Sequence, residues 1–523
     1  MAVLGKGDSQ LDFEDSTGWR ERVPRESFWW KFKLWADENI RDEDFADLFK
    51  EGGRPSVSPA KVVRGILVQL EKGYSDRELE GESGFDYRVK LALGMRRGDA
   101  PLDAATLCRH RQRLFSSGKA EDLLERVVGL GKAEGVISED AALLVDSLLV
   151  RGACGKRDTV TLIRRAVLKV MKTAGFHGVD LGVRLLRDDY GVKKKPSINW
   201  RDPAEKAMLV ESLVKDGRSV VGAVGGLASA PEELKEAAEL LRVVTEQDIE
   251  EDEKGVRIRD GVARDRVISV TDPEMRHGRK SVSKKVDGYK VHLAAGGDDG
   301  EFITAVEVTA ANKGEGEALG SLIDRTEGNG LKVRSVTGDT AYGGGDTRAQ
   351  VVDRKSGIDL VAPVPPAPNR DGRMSKREFE INLKEGYVKC PAGVVTRQVG
   401  KGNDGRGNKI PVFRFPAEEC GRCPMKDKRS PSKDGRHVRL NRHEGLLQEA
   451  IEREKTDEFK ALYRKRCSVE RTICHVQRHG GMAGRYIGAA KTRFQMVMAA
   501  ALHDIKVLVR PRGPAPKAAL SVV

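Results

Sequence analysis

The sequence has few cysteines, no long apolar run and no export signal at its start. Seven cysteines in 523 residues, an odd number, argue against a framework of disulfide bonds. A membrane-spanning helix needs a run of about 18 apolar residues, and the sequence has none. Residues 1–19 mix acids with glycines, whereas a signal peptide needs a basic start followed by an apolar stretch. We therefore expect a soluble intracellular protein with no membrane partner.

What the sequence does have is length and positive charge. At about 100–200 residues per domain, 523 residues correspond to roughly three domains. The 93 lysines and arginines outnumber the 80 aspartates and glutamates, which gives a formal net charge of +13. This basic excess favours an anionic partner, and nucleic acid is the commonest large one.

Residues 1–125 are predicted to form a helical N-terminal domain. Three helix starts are recognisable from their capping residues: Ser58-Pro59, Ser75 with Glu78, and Asp103. The third of these helices carries a basic cluster made of Arg109, Arg111 and Arg113. Short helices that end in an arginine-rich one are typical of a helix-turn-helix DNA-binding unit. A helical bundle with a solvated basic helix accounts for the same pattern.

Residues 138–365 are predicted to form the first part of an α/β core. Residues 141–150 read as a buried strand with one acid, Asp146, inside it, and a central strand rarely tolerates an unpaired carboxylate. A helical insertion over about 155–255 follows. Two strands joined by a turn, at 288–293 and 302–308, and then a helix–strand–helix–strand series up to 364 complete the order.

The rest of the chain divides into a small β-rich insertion, a second part of the core and a tail. The insertion, residues 366–445, is basic: eight Lys or Arg and two Asp lie between Arg422 and Arg442, a local excess of +6. Such a stretch could contact phosphates or form a solvated loop. Helices are predicted over 443–479 and 489–509, within a second core part at 446–510, and residues 511–523 are predicted to form a flexible tail.

Three acids that are far apart in the sequence are predicted to form one site. Asp146 lies inside a strand, Asp339 at the end of another strand, and Glu470 on a late helix. Mg²⁺ prefers such oxygen ligands, usually a few carboxylates together with substrate phosphate. Two such ions about 3.5–4 Å apart promote phosphodiester cleavage. Each acid taken alone reads as a surface or turn residue.

Four polar residues of the late helix are predicted to share one face. Tyr463, Arg466, Glu470 and Gln477 lie at offsets of 0, 3, 7 and 14 residues. In a single helix these offsets place them within an arc of about 60°. Tyr463 and Arg466 would then contact a phosphate beside the metal-bound Glu470. The alternative is the solvated face of an amphipathic helix.

The spacing of Tyr463, Arg466 and Glu470 resembles the Tyr-Arg-Glu-Lys signature of bacterial insertion-sequence DDE transposases. Further stretches are similar to one subgroup of these enzymes: 53–59, 74–78, 271–280, 287–292, 338–343 and 485–488. The resemblance covers nearly the whole chain and implies a ribonuclease-H-like α/β core, a mixed sheet flanked by helices, with a helical N-terminal domain and insertions. The three acids match the DDE triad. Gln477 departs from the signature, which has Lys at that position.

The resemblance also implies a function and a set of DNA contacts. The function is that of a DNA transposase, which cleaves strands at the element ends and joins the 3′-OH to target DNA. The cofactor would be Mg²⁺ or Mn²⁺, and two ions would be bound at the site. The residues expected at DNA are Tyr463, Arg466, Gln477, Lys290, Arg485 and Lys491, the last as a replacement for the missing lysine.

The partners implied are double-stranded DNA of the terminal inverted repeats and of the target. A homodimer on DNA and a cytoplasmic, nucleoid-associated location in a bacterium are expected. Two alternatives stay open: a catalytically inactive DNA-binding protein, domesticated or decayed, and a metal-dependent nuclease without strand transfer.

The cysteines indicate a second metal site. Cys390, Cys420 and Cys423 could hold a small β unit around Zn²⁺, with His437 or His443 as the fourth ligand. The alternative is reduced thiols in a site that has decayed. The remaining cysteines, at positions 108, 154, 467 and 474, are expected to be buried.

Overall fold

The N-terminal part of the chain is helical, as predicted. The computed structural model describes residues 18–50, 52, 55–253, 255–280, 283–297, 299–367, 374–405, 407–425, 428 and 434–511. The first helices are α1 (Phe28–Asn39), α2 (Pro59–Lys72), α3 (Asp76–Phe85), α4 (Tyr87–Ala92), α5 (Ala104–Ser116) and α6 (Lys119–Ala133). Ser58 caps α2, Ser75 and Glu78 form the capping box of α3, and Asp103 caps α5. The three predicted helix starts are confirmed.

A long strand and a helical insertion follow these helices. The strand is β1 (Asp140–Arg151), and the insertion consists of α7 (Thr159–Phe176), α8 (Pro203–Gly225), α9 (Glu232–Gln247), β2 (Ile249–Asp252) and β3 (Gly255–Ile258). The insertion has an apolar core of its own, which includes Leu162, Val167, Leu213 and Leu241. The insertion therefore packs around its own core after β1, and its strands take no part in the central sheet.

Within the described residues, β1 and five later strands form a mixed central sheet. The later elements are β4 (Arg276–Arg279), β5 (Lys285–Gly296), β6 (Phe302–Ala310), α10 (Leu319–Gly328), β7 (Lys332–Thr337), α11 (Gly345–Asp353) and β8 (Asp359–Val361). The main order is β6-β5-β1-β7-β8, and β4 pairs with the start of β5. Strand β5 is antiparallel to β1, β4 and β6, while β1, β7 and β8 are parallel. The predicted hairpin and mixed α/β core are confirmed, and the sheet is compatible with a ribonuclease-H-like core.

The predicted β-rich insertion contains two small sheets of three strands each among the described residues. Their elements are β9 (Glu380–Asn382), β10 (Tyr387–Lys389), β11 (Val395–Thr396), β12 (Val399–Asn403), β13 (Lys409–Arg414), α12 (Ala417–Gly421) and β14 (His437–Arg439). Phe379, Val388, Phe413 and Phe415 are buried between them. Several residues with predictions lie outside the described residues: 1–17, Lys426, Arg429, Lys433 and 512–523.

The late helices are α13 (Glu444–Glu454), α14 (Asp457–Arg464), α15 (Cys467–Val476) and α16 (Ala489–Leu508). The prediction of a single helix that carries Tyr463, Arg466, Glu470 and Gln477 is wrong. Tyr463 lies in α14 and Glu470 in α15, because the backbone between them forms tighter turns, in which the Arg466 N–H donates to the Tyr463 carbonyl at 3.0 Å. Gln477 begins a five-residue segment that contains Gly480 at a φ of 85°.

Helix α16 joins the N-terminal helices to the sheet. Most of its side chains are buried in one apolar core with α2, α6 and β6. Lys506 pairs with Glu71 of α2 at 2.7 Å, and Asp504 accepts a hydrogen bond from the Ile303 N–H of β6 at 2.8 Å. Although α16 is long, none of the described helices combines the length and the apolarity that crossing a bilayer requires.

A close backbone approach fixes the loop after β7, which carries Asp339. The Gly338 N–H donates to the Val361 carbonyl of β8 at 3.1 Å. A Cβ atom at Gly343 would lie 1.8 Å from the carbonyl oxygen of Pro363. Because glycine has no Cβ, the loop can lie directly against the chain that leaves β8.

Gly343→Ala should therefore destabilise the protein by about 1–3 kcal/mol, because the added methyl group forces the two backbones apart. Urea unfolding measures the change. Gly328→Ala, where the new Cβ would meet nothing within 4 Å, is the matched control and should shift the free energy of unfolding by less than about 1 kcal/mol. The same unfolding midpoint for both variants would contradict the close-approach argument.

Candidate active site

Asp146 lies in the middle of β1 with its side chain buried. The residue is 7% exposed, and its Oδ1 accepts a hydrogen bond from the Ser147 N–H at 2.7 Å. Side chains two residues apart point to the same face of a strand. On that face Leu144 packs against Val469 of α15 and Ala295 of β5. Helix α15 therefore covers the sheet next to Asp146.

The parallel pairing of β1 with β7 brings Asp339 beside Asp146. Leu144 pairs with Thr337, and each aspartate lies two residues further along the chain. Because neighbouring strands are about 4.8 Å apart, the two side chains meet where β7 ends. The Asp339 Oδ1 also accepts a hydrogen bond from the Ala341 N–H at 2.8 Å, which fixes the carboxylate in the loop.

A third carboxylate, that of Glu315, lies with the two aspartates. The side-chain oxygens of Asp146, Glu315 and Asp339 come within 4.8 Å of one another. Glu315 begins a short helical turn, Glu315–Ala318, after β6. Glu315 is not recognisable as a site residue from the sequence, because an acid in the first turn of a predicted helix is an ordinary feature of helix N-termini. No spacing or motif marks it as a site residue.

Glu470 is connected to this group through Arg466. The Arg466 Nη2 is 2.9 Å from Glu470 Oε1, and its Nη1 is 3.7 Å from Asp146 Oδ2. The guanidinium also lies over the ring of Tyr463, 5.8 Å from its centroid. The Glu470 side chain is 57% exposed. Three of the four residues that were predicted to share a helix face, Tyr463, Arg466 and Glu470, thus lie together across a helix break.

The electrostatics of the three carboxylates fit a divalent cation. The pKa of Asp146 is raised to about 6, chiefly by burial and also by the charges of Asp339 and Glu315, while the Ser147 hydrogen bond acts in the opposite direction. Glu315 Oε2 is buried and accepts no hydrogen bond from the described residues. Clustered carboxylate oxygens with unused acceptor capacity are the donor set that a hard cation such as Mg²⁺ prefers.

Neutral groups lie behind the carboxylates. The ring of His292 is buried, with Nε2 3.0 Å from Thr309 Oγ1, and burial lowers the pKa of His292 to about 3. The hydroxyl of Tyr342 lies 3.4 Å from His292 Nδ1, and burial raises the pKa of Tyr342 well above its ordinary value. Neither side chain carries a charge near neutral pH, so this layer does not neutralise the acids.

The three predicted DNA contacts of α5 have different environments. Arg109 is exposed. Arg113 is half-buried, with its guanidinium over the ring of Phe49. Arg111 is buried and pairs with Asp76 at 2.6 Å, so it holds α5 against α3 and is not available to a phosphate. The prediction for Arg111 is corrected on this ground.

The remaining predicted DNA contacts are half-buried. Lys290 donates to the Lys313 carbonyl at 2.8 Å and lies 3.6 Å from Glu315 Oε1, at the edge of the acidic group. Arg485 donates to the carbonyl of Tyr74 at 2.6 Å. Lys491 lies over the ring of Phe115, and Gln477 lies at the end of α15. Of these four residues, Lys290 is the one that contacts the acidic group.

The predicted zinc residues lie in the β-rich insertion. Cys390 is buried, and Cys420 packs against the same small core. The Sγ atoms of Cys420 and Cys423 accept hydrogen bonds from the Arg436 and Met425 N–H groups, each at 3.4 Å. In the described part of the chain no three of these cysteines and His437 have donor atoms within 4.8 Å of one another. Zinc binding stays a prediction.

The other cysteines differ from the expectation that they are buried. Cys108, Cys467 and Cys474 are exposed, and Cys154 is half-buried. Cys467 and Cys474 are seven residues apart on α15, so they lie on the same face of that helix, opposite the face that packs on β1. The expectation was wrong for Cys108, Cys467 and Cys474, which are exposed.

Two family models match opposite ends of the chain. Residues 389–509 match the model described as Transposase DDE domain, and residues 18–113 match the model described as Transposase domain (DUF772). No curated protein and no solved structure matches the chain. The first match includes Glu470 and α13 to α16, and the second includes α1 to α4 and most of α5. Together with the acidic group, the two matches support a DNA transposase of the DDE type.

Proposed function

We propose that the chain cleaves DNA strands at the ends of a mobile element and joins the freed 3′-OH to target DNA, with Asp146, Asp339 and Glu470 as the catalytic acids. The observation that carries this proposal is the meeting of Asp146 and Asp339 across β1 and β7, with Glu470 joined to them through Arg466. The transposase matches at both ends of the chain support the same activity.

Asp146 and Asp339, with Glu315 or Glu470, would hold Mg²⁺ or Mn²⁺. Divalent ions bound there would supply charge neutralisation and activation of the attacking oxygen in phosphodiester chemistry. The clustered oxygens and the free acceptor capacity of Glu315 Oε2 are compatible with such a cation. The ligand set proposed from the sequence is thereby extended by one residue, Glu315.

Two displacement steps account for the reaction. In the first, a water oxygen forms a bond to phosphorus at the element end, the bond from phosphorus to the 3′ oxygen breaks, and that oxygen leaves as a 3′-OH. In the second, this 3′-OH forms a bond to a target phosphorus, and the target's own 3′ oxygen leaves. Such phosphoryl transfers depend chiefly on positioning and on neutralising charge.

Arg466 and Tyr463 would position the phosphate in both steps. The Arg466 guanidinium lies between Asp146 and Glu470, where it can contact a phosphate oxygen and still neutralise an acid. The aromatic ring of Tyr463 limits the directions in which that guanidinium can turn. Lys290 would contact the DNA at the edge of the acidic group. Further contacts with the DNA would come from Arg109, Arg113, Arg485, Lys491 and Gln477. Two copies of the chain would hold the two element ends.

Asp339→Asn should abolish Mg²⁺-dependent cleavage of a duplex that carries the flanking inverted repeat, and joining of pre-cut ends as well, because it removes a charged oxygen ligand. Gel assays of cleavage and of strand transfer measure both steps. Asp353→Asn, at an exposed position on α11, is the control and should keep both activities. DNA binding without any activity in the parent chain would favour the inactive DNA-binding protein. Cleavage without joining would favour the nuclease.

Glu470→Gln and Glu315→Gln should have different effects. Glu470→Gln should lower the cleavage rate at least 100-fold, whereas Glu315→Gln should weaken Mg²⁺ binding about 10–100-fold. Calorimetric titration with Mg²⁺ and single-turnover cleavage measure the two effects separately. Glu317→Gln, which keeps the hydrogen-bond acceptor for the Gly314 N–H, is the control for Glu315. Unchanged Mg²⁺ affinity in Glu315→Gln would remove Glu315 from the ligand set.

Asp146→Asn should stabilise the metal-free protein at alkaline pH. The folded-state pKa of about 6 lies above the ordinary value of 3.8, so ionised Asp146 destabilises the fold as the pH rises from about 4 through 6. A shift of about two units corresponds to about 3 kcal/mol. Scanning calorimetry with EDTA should show a higher Tm for the variant at pH 8 and a much smaller difference at pH 4.

Added Mg²⁺ should raise the Tm of the parent chain, because the ion binds the folded state. The rise should be lost in Asp146→Asn. A lower Tm of the metal-free variant at pH 8 would show that the carboxylate is stabilised by groups of the protein itself.

A further inference from the structure

A basic groove lies in the helical insertion, away from the acidic group. Its volume is about 860 Å³, and it is formed by the residues before α7, one face of α7, the chain at 190–195 and residues 270–271. Eight of its lining residues are basic, namely Lys156, Arg157, Arg164, Arg165, Lys169, Lys172, Lys193 and Lys195, and one, Asp158, is acidic. The family matches do not include this part of the chain.

Three of the eight cations have partners in the fold. Arg164 donates to the carbonyls of Lys194 and Val192 and pairs with Asp189. Lys195 pairs with Asp158 at 3.1 Å, and Lys156 pairs with Asp287 at 3.2 Å. These contacts hold the walls of the groove in place.

The other five cations are exposed and have no ion partner among the residues that the structure describes. They are Arg157, Arg165, Lys169, Lys172 and Lys193. Five unpaired cations around one concave surface repel one another. An anionic partner that is large enough to contact them together would remove this repulsion.

The spacing of the cations on α7 suits the backbone of a nucleic acid. Arg165, Lys169 and Lys172 follow at steps of four and three residues, so they lie on one face of the helix. At 1.5 Å per residue they extend over about 10 Å, and phosphates of one DNA strand recur about every 3.4 Å along the duplex axis. The row therefore matches about three phosphates. A small anion would instead need donors that converge on one point.

The groove lies within reach of DNA at the candidate active site. Asp146 is five residues before the end of β1 at Arg151, a distance of about 17 Å at 3.3 Å per residue. Lys156, at the edge of the groove, contacts Asp287, and the next residue, Gly288, pairs with Arg151. One turn of duplex is about 34 Å long. A duplex with a phosphate at Asp146 can therefore reach the edge of the groove, at Lys156, within about one turn.

We propose that this groove binds the phosphate backbone of duplex DNA next to the position that is cleaved, and that Arg165, Lys169 and Lys172 are its main contacts. The proposal rests on the proposed transposase function. It assigns to the helical insertion the task of fixing the direction of the duplex relative to the acids. Backbone contacts of this kind position DNA without reading its sequence.

The test compares duplex binding by the parent chain and by the triple variant Arg165→Gln/Lys169→Gln/Lys172→Gln. The dissociation constant for a 40-base-pair duplex of arbitrary sequence, with EDTA present, is measured at several salt concentrations. The slope of log K against log salt is negative, and each lost phosphate contact reduces its magnitude by about 0.9, so the magnitude should fall by about 2.7. A triple variant with the charges kept, Arg165→Lys/Lys169→Arg/Lys172→Arg, should keep the slope of the parent.

The matched control removes three charges from the same insertion but outside the groove. It is Arg201→Gln/Lys206→Gln/Lys215→Gln, three exposed positions in and just before α8, and it should keep a slope within about 1 of the parent. A slope for the α7 variant equal to that of this control overturns the groove proposal. Cleavage by the parent chain in Mg²⁺ would in that case leave the transposase proposal standing. A parent chain that binds no duplex overturns both.

Discussion

The buried carboxylate of Asp146 is the group that the surrounding residues have to accommodate. An ionised group inside an apolar sheet destabilises the fold unless hydrogen bonds or a cation compensate. Asp146 receives one hydrogen bond, from the Ser147 N–H, while Asp339 and Glu315 add negative charge to its surroundings. Next to it, Leu144 of β1 makes apolar contacts with Ala295 of β5 and Val469 of α15. Three carboxylates beside a central strand are compatible with a site for a divalent cation.

The sheet order explains how acids so distant in the sequence become neighbours. The parallel register of β1 and β7 puts Asp146 and Asp339 at equivalent positions. The helical insertion lies between the two strands in the sequence but not in the sheet. Glu470 lies near them because Val469, the residue before it, packs on Leu144, and Arg466 links it to Asp146. The helical insertion follows the end of β1 and the β-rich insertion follows β8, so neither interrupts the pairing of β1 with β7.

The parts of this arrangement that depend on local chemistry could be predicted from the sequence. Capping residues such as Ser58 set the helix starts, and an acid inside an apolar run identified β1. The parts that depend on tertiary contacts could not. Glu315 has no local signal that separates it from a helix-capping acid, the break at Arg466 replaces one helix with two, and the burial of Arg111 depends on Asp76 of another helix.

The acids that suit a cation also repel a DNA phosphate. Two unit charges at 4 Å interact by about 4 kcal/mol at an effective dielectric constant of 20, and physiological salt screens this interaction beyond about 8 Å. Close to the acids, Arg466 offsets part of the repulsion. The unpaired cations of α7 lie further out, beyond the end of β1, where the acids are screened. In the proposed function, attraction of the duplex by α7 and neutralisation of the acids by a cation would therefore be separate events, so loss of a carboxylate would leave DNA binding undiminished.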